Sequence, residues 1–106
     1  MLPLHHYSIS TIHRRQGLAR TLMEGLETIT DKVHRGYFVD LFVRESNAVA
    51  IDMYEKMGYS IYRRVVGYYS RSEDAFDMRK AMSRDVNKES VIPCKRAVRP
   101  DELEFD

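Results

Sequence analysis

The run Tyr37-Phe38-Val39-Asp40-Leu41-Phe42-Val43 is the feature that most restricts what this chain can fold into. β-branched and aromatic side chains dominate it, which favours a strand, and so few polar positions call for cover on both faces. The run is therefore read as a central strand with helices packed against its sheet. The flanking segments have the right pattern. Upstream, after Gly17, apolar residues fall at Leu18, Leu22, Leu26, Ile29 and Val33, a single helical stripe that predicts a helix packed by one face. It should end near His34 or Arg35, with Gly36 in the left-handed conformation that stops helices. Downstream, Ser46 or Asn47 is placed to cap a second helix, whose apolar positions Val49, Ala50, Met53, Tyr54 and Met57 recur at helical spacing until Gly58.

Three more extended segments complete the reading. Tyr7 to Ile12 is rich in strand formers and runs into a turn at His13 to Gln16, while Tyr59–Tyr69 and Phe76–Met82 form a hairpin around the polar stretch Ser70 to Asp74. Strand and helix alternate, which is an α/β pattern. With 106 residues there is room for one core, assigned to residues 1–84. Residues 85–106, with Pro93, Pro100 and the acidic end Asp101 to Asp106, read as a polar tail without its own core, disordered or docked onto a partner.

Charge narrows the function classes. Seventeen basic residues against 16 acidic ones leave no global field for nucleic acid or anionic lipid, so partners must be recognised locally. The single Cys94 forms no internal disulfide and supplies no thiolate set for zinc, and the adjacent His5 and His6 point apart on a strand, so no metal is expected. No apolar run reaches the roughly 20 residues of a membrane span, and Met1 to Tyr7 lacks the order of a signal peptide. A reducing, cytoplasmic setting is the expectation.

The stretch Arg14-Arg15-Gln16-Gly17-Leu18-Ala19 carries the chemistry. At a helix start the first N–H groups are unpaired and the dipole favours an anion. Gly17 and Ala19 keep the approach open, and Arg14 and Arg15 add cationic donors, which suits a pyrophosphate. The bland reading, an exposed loop and helix cap, stands beside it. The residues match neither the phosphate loop of nucleotide hydrolases nor a dinucleotide fingerprint.

What they resemble is the signature Arg/Gln-x-x-Gly-x-Gly/Ala of GNAT acetyltransferases, met by Arg14, Gly17 and Ala19. A second segment, Asn47-Ala48-Val49-Ala50-Ile51-Asp52-Met53-Tyr54-Glu55-Lys56-Met57-Gly58-Tyr59, is similar to the family's N-x-x-A-x-x-x-Y-x-x-x-G-[FY]. Collinear likeness continues through Tyr37 to Arg44, Tyr68-Tyr69-Ser70, Asp77 to Ala81 and Val98 to Glu102, and it resembles the catalytic subunits of NatB-type N-terminal acetyltransferases. The resemblance implies the C-terminal half of a GNAT (acyl-CoA N-acyltransferase) fold, with a mixed sheet and two helices. It implies acetyl-coenzyme A as co-substrate, held by Arg14, Arg15, Gln16, Gly17, Leu18, Ala19 and Asn47, and no metal. Tyr54 is the implied catalytic residue, and Tyr68 and Tyr69 the implied borders of the peptide site. Implied partners are a helical-repeat auxiliary subunit and nascent chains near the ribosome that begin with Met followed by Asp, Glu, Asn or Gln.

Transfer in such an enzyme is direct attack of the α-amino group on the thioester, so Cys94 is not a nucleophile. That amine titrates near 8, so a weak or water-relayed base suffices. A phenol near 10 is a weaker acid than a thiol near 8.5, which makes full proton donation uphill by about 2 kcal/mol and hydrogen bonding to the leaving thiolate the better role for Tyr54. Structural readings stay open. Tyr54 is equally a ring for the core, Asn47 a helix cap, Tyr68 and Tyr69 an edge pair, and Met53, Met57, Met78 and Met82 core filler. The chain reads as starting inside the family's fourth strand, as in a truncated form, which would make Tyr7 to Ile12 an exposed edge and the chain poorly soluble or dependent on a partner. Two other functions remain: a GNAT enzyme for a different amine, and a non-catalytic fragment that binds the auxiliary subunit.

Overall fold

The computed structural model describes the backbone of residues 9–103 and the side chains from residue 15 onward. Five main elements follow one another: α1 (Ile9–Lys32), β1 (Phe38–Arg44), α2 (Ala48–Lys56), β2 (Ser60–Ser70) and β3 (Glu73–Ala81). The sheet order is β1-β3-β2, with β1 and β2 both antiparallel to β3. β1 and β2 therefore run parallel to each other, joined by α2 as a crossover, and β3 slots between them. A parallel contribution comes from the isolated bridge of Val65 with Val98. This is the α/β layering with two helices implied by the family resemblance.

Alternation along β3 divides the interior into two clusters. On one face Met78 and Met82 join Val39, Val43, Met57 and Tyr59, and α1 contributes Met23 while α2 contributes Ala50, Ile51, Met53 and Tyr54. The other face carries Val65, Ala75 and Val98, flanked by Phe42 and Leu103. Complete burial of a side chain such as Met78 favours folding by about 1.5–3 kcal/mol. Asp77 is buried within the same sheet, bonded by Arg63 Nε at 3.0 Å, with Arg79 Nε 3.9 Å away. The Arg79 guanidinium lies 3.6 Å from the Tyr62 ring centroid and 4.0 Å from that of Phe38. The two guanidinium groups offset part of the cost of burying this carboxyl group.

The structure corrects several expectations. β1 is not central: among the described strands it lies at an edge, and β3 is the middle one. The charges of β3 hide this in the sequence, because Asp77 and Arg79 lie inside the fold, where Arg63 bonds Asp77 and Arg79 stands 3.9 Å from it. Ile9 to Ile12 is helical, continuous with α1, rather than a strand followed by a turn; Tyr7 and Ser8 lie outside the described residues, as do His5 and His6. A strand needs a neighbour for its backbone groups, whereas a helix satisfies its own, and among the described residues no strand stands beside this segment. Among the described residues the sheet ends at β1 and β2, and this segment is not one of its edges.

The stripe of α1 also differs from expectation. Leu18, Leu22 and Val33 are 65%, 72% and 70% exposed, with Leu26 and Ile29 about half exposed. The helix meets the sheet through the adjacent side that carries Met23 and Glu27. At its end Arg35, not Gly36, takes the left-handed conformation, with φ 51°. Gly36 serves close approach instead, because a Cβ there would sit 2.7 Å from Thr30 Cγ2. Residues 85–103 are docked rather than a loose tail: Cys94 N–H donates to Tyr62 O at 2.7 Å, Val98 N–H to Arg64 O at 3.0 Å, and Val66 N–H to Val98 O at 2.8 Å. Glu104 to Asp106 lie outside the described residues.

Candidate functional site

Two helices converge on one cleft. Arg15 and Gln16 from α1 face Asn47, Val49, Ala50 and Met53 at the start of α2 across a space of about 340 Å³. The start of α2 is fixed by Asn47, whose Oδ1 accepts the Ala50 N–H at 3.1 Å. Asn47 is thus the helix cap and also lines the cleft, so its two readings are compatible; Ser46 instead donates to Glu73 at 2.8 Å. At the far end, Gly58 takes φ 99° and Tyr59 N–H donates to Tyr54 O at 3.0 Å, closing the helix.

The stretch Arg14 to Ala19 behaves differently from its sequence reading. Gly17 sits inside α1, more than two turns after its start, so the amides of Gln16 to Ala19 belong to the helix ladder and are not offered to an anion. Gly17 O accepts Thr21 Oγ1 at 3.0 Å, and a Cβ at Gly17 would meet nothing within 4 Å. Leu18 points to the surface, Ala19 is half-buried, and the side chain of Arg14 lies outside the described residues. Tested against acetyl-coenzyme A, the cleft suits an arm of amides and methylenes, with Arg15, Gln16 and Asn47 as polar groups over an apolar floor. The amide cradle for a pyrophosphate is not assembled in this helix.

Tyr54, on α2, is half-buried with its ring centroid 6.0 Å from that of Tyr59 in an edge-on contact. The implied peptide-site residues sit at the end of β2. Tyr68 lies 4.8 Å from Phe42 and 5.1 Å from Tyr69, whose hydroxyl donates to Phe42 O at 3.3 Å beneath the Arg44 guanidinium, 4.2 Å from its ring. Burial pushes the Tyr69 phenol above its usual value; Tyr68, Glu73 and Tyr54 add to this and Arg44 opposes it. Among the described residues no group of histidine, cysteine and carboxylate side chains is arranged to hold a metal ion.

Glu27 escapes sequence reasoning, and Tyr59, Lys80 and Arg44, which fall in the family-like stretches, make contacts that the sequence does not assign to them. Glu27 Oε2 accepts from Tyr59 at 2.8 Å and its Oε1 from Lys80 Nζ at 2.8 Å, while Lys80 Nζ also reaches Met57 O at 2.9 Å. Burial first, and then Glu27, raises the Tyr59 phenol well above its usual value. The available signal was Glu27 four residues after Met23, a carboxylate on the side of α1 that faces the sheet.

Residues 2–59 match the acetyltransferase (GNAT) family. The chain is 64% identical over 99 residues to the N-terminal acetyltransferase B complex catalytic subunit NAA20 of Arabidopsis thaliana, covering 93% of this chain and 57% of that protein. Chaetomium thermophilum Naa20, solved in complex with a bisubstrate analogue, superimposes with a TM-score of 0.77 at 44% identity, over 87% of this chain and 53% of that one. A NatB acetyltransferase complex bound to CoA matches with a TM-score of 0.56 at 51% identity, over 65% of this chain and 46% of that chain. The chain thus spans about half the length of these relatives.

Proposed function

The chain belongs to the acetyltransferase (GNAT) family, and from that premise we propose that it is the acetyl-coenzyme A binding part of a NatB-type N-terminal acetyltransferase. The observation that carries the reading is the meeting of both family motifs at one cleft, Arg15 and Gln16 opposite Asn47, with Tyr54 on the same short helix. The 64% identity to a NatB catalytic subunit supports the choice of substrate class. In this reading the substrate is the α-amino group of chains beginning Met-Asp, Met-Glu, Met-Asn or Met-Gln.

Acetyl-coenzyme A supplies the acetyl group as a thioester and departs as a thiol. Arg14, Arg15 and Gln16 hold its phosphates by side-chain donors, Gly17, Leu18 and Ala19 keep the helix surface open beside them, and Asn47 orients the arm. Tyr54 donates a hydrogen bond where negative charge grows on the departing sulfur. Tyr68 and Tyr69 border the incoming peptide. The partner of the working enzyme is a helical-repeat auxiliary subunit, and the setting is the cytoplasm near the ribosome. The test is acetyl transfer to peptides starting Met-Asp, Met-Leu and Ser, with and without that subunit: selective modification of Met-Asp is expected, and equal rates on all three remove the NatB assignment.

A further inference from the structure

The turn after α2, β3 and α1 meet at one part-buried point, where Gly58 and Tyr59 from the end of the second motif join Glu27 and Lys80, which neither motif includes. Lys80 extends from β3 over Gly58, where a Cβ would lie only 3.2 Å from Lys80 Cε. Gly58 thus does more than end α2, since its missing side chain is the opening through which Lys80 reaches Met57 O and Glu27. A cation at a helix C-terminal carbonyl is favourable, and here it is also paired with a carboxylate. Tyr59 is 3% exposed and is fixed at both ends: its hydroxyl donates to Glu27, and its backbone N–H donates to Tyr54 O. Its ring stands edge-on to that of Tyr54.

We propose that Glu27, Tyr59 and Lys80 form a clamp that positions Tyr54, holding the end of α2 against α1 so that the Tyr54 hydroxyl and the α1–α2 cleft keep a fixed relation. None of the three touches the cleft, so they are positioning residues. The idea rests on the reading of Tyr54 as the group that faces the sulfur. Rotation or sliding of α2 would move Tyr54 together with Asn47, and the clamp is the polar contact that ties α2's end to α1.

The test is a mutant cycle on the full chain. Tyr59→Phe and Glu27→Gln keep shape and remove one hydrogen bond or one charge. Each should lower kcat for a Met-Asp peptide about tenfold with KM for acetyl-coenzyme A little changed, and the double variant should lose no more than the worse single one. In a Tyr54→Phe background the same substitutions should have no further effect, which separates positioning of Tyr54 from a general loss of stability. A full additional loss in that background overturns the proposal. Tyrosine-labelled NMR supplies a readout independent of turnover: Tyr54 ring resonances should shift in Glu27→Gln, and unmoved resonances in a folded variant also overturn it. A wild-type chain without transferase activity would remove the catalytic reading, while the resonances still decide the clamp.

Discussion

α2 and the Arg14–Ala19 stretch of α1 each carry half of a family signature and face the same cleft, yet they are held in different ways. α2 is bounded within the chain itself. Asn47 caps one end, Gly58 at φ 99° closes the other, and the helix rests on a floor that includes Met78 and Val39. The α1 stretch has no comparable boundary. It lies inside a helix described from Ile9 onward, and the apolar stripe that follows it is open to solvent. The contrast teaches that a motif takes its expected local form where its start, stop and support are all nearby in sequence, and defaults to plain helix where they are not.

The largest expected effect probes the support of α2. Met78→Ala empties the floor between β1, β3 and α2, and should cost about 2–5 kcal/mol, read by urea unfolding with fluorescence of the tyrosines. A loss under about 1 kcal/mol would mean that the floor is not what holds α2, and would erase the contrast. The next effect belongs to the opposite face of the sheet. Burial pushes Asp77 up to about 6, Asp40 adds to the rise, and Arg63 and Arg79 pull the other way. Folded Asp77 then holds its proton more tightly than the unfolded carboxyl, so its contribution is present below about pH 4 and lost as pH rises through about 6. Relative to Asp77→Asn, the wild-type chain should lose up to about 3 kcal/mol of stability across that window. Parallel pH profiles would show instead that Arg63 keeps the carboxylate ionised throughout.

A smaller effect tests the cap. Asn47→Ala leaves the Ala50 N–H without its acceptor and should cost about 1 kcal/mol. If Asn47 also holds the co-substrate, coenzyme A affinity should fall by more than the stability loss explains, measured by calorimetry on both proteins. Equal affinity would reduce Asn47 to its structural role.

The same division explains what could be read from the sequence. α2 and the hairpin of β2 and β3 were legible because caps, glycines and periodicity act over a few residues, whereas the grouping of Asn47 with Arg15 and Gln16 was implied by the family resemblance. The central place of β3 was not, because Asp77 and Arg79 look like solvent-facing charges until Arg63, Tyr62 and Phe38 are brought to them from other strands. Glu27 was hidden for a similar reason: its partners Tyr59 and Lys80 lie 32 and 53 residues away. The docking of Val98 against Val65 depends on a strand edge that the local pattern of residues 85–103 does not announce. Of the candidate site, residue types were legible and the conformation of Arg14 to Ala19 was not, since a strand-to-helix turn and a continuous helix differ in neighbours rather than in local preference.

Gly17 gives the most direct way to sharpen that last point, although its effect is the smallest. In the interior of α1 a glycine is less favourable than alanine by about 0.5–1 kcal/mol, and a Cβ at Gly17 has open space. Gly17→Ala should therefore raise stability by that amount and increase helicity seen by circular dichroism. If the segment instead turns at Gly17 when coenzyme A binds, the alanine should oppose that turn and weaken coenzyme A binding while the unliganded chain is strengthened. Opposite signs in the two measurements would mean that the ligand selects a conformation different from the continuous helix. Greater stability with unchanged affinity would mean that the continuous helix is itself the binding form, and that the cleft beside Arg15, Gln16 and Asn47 holds the ligand without an amide cradle.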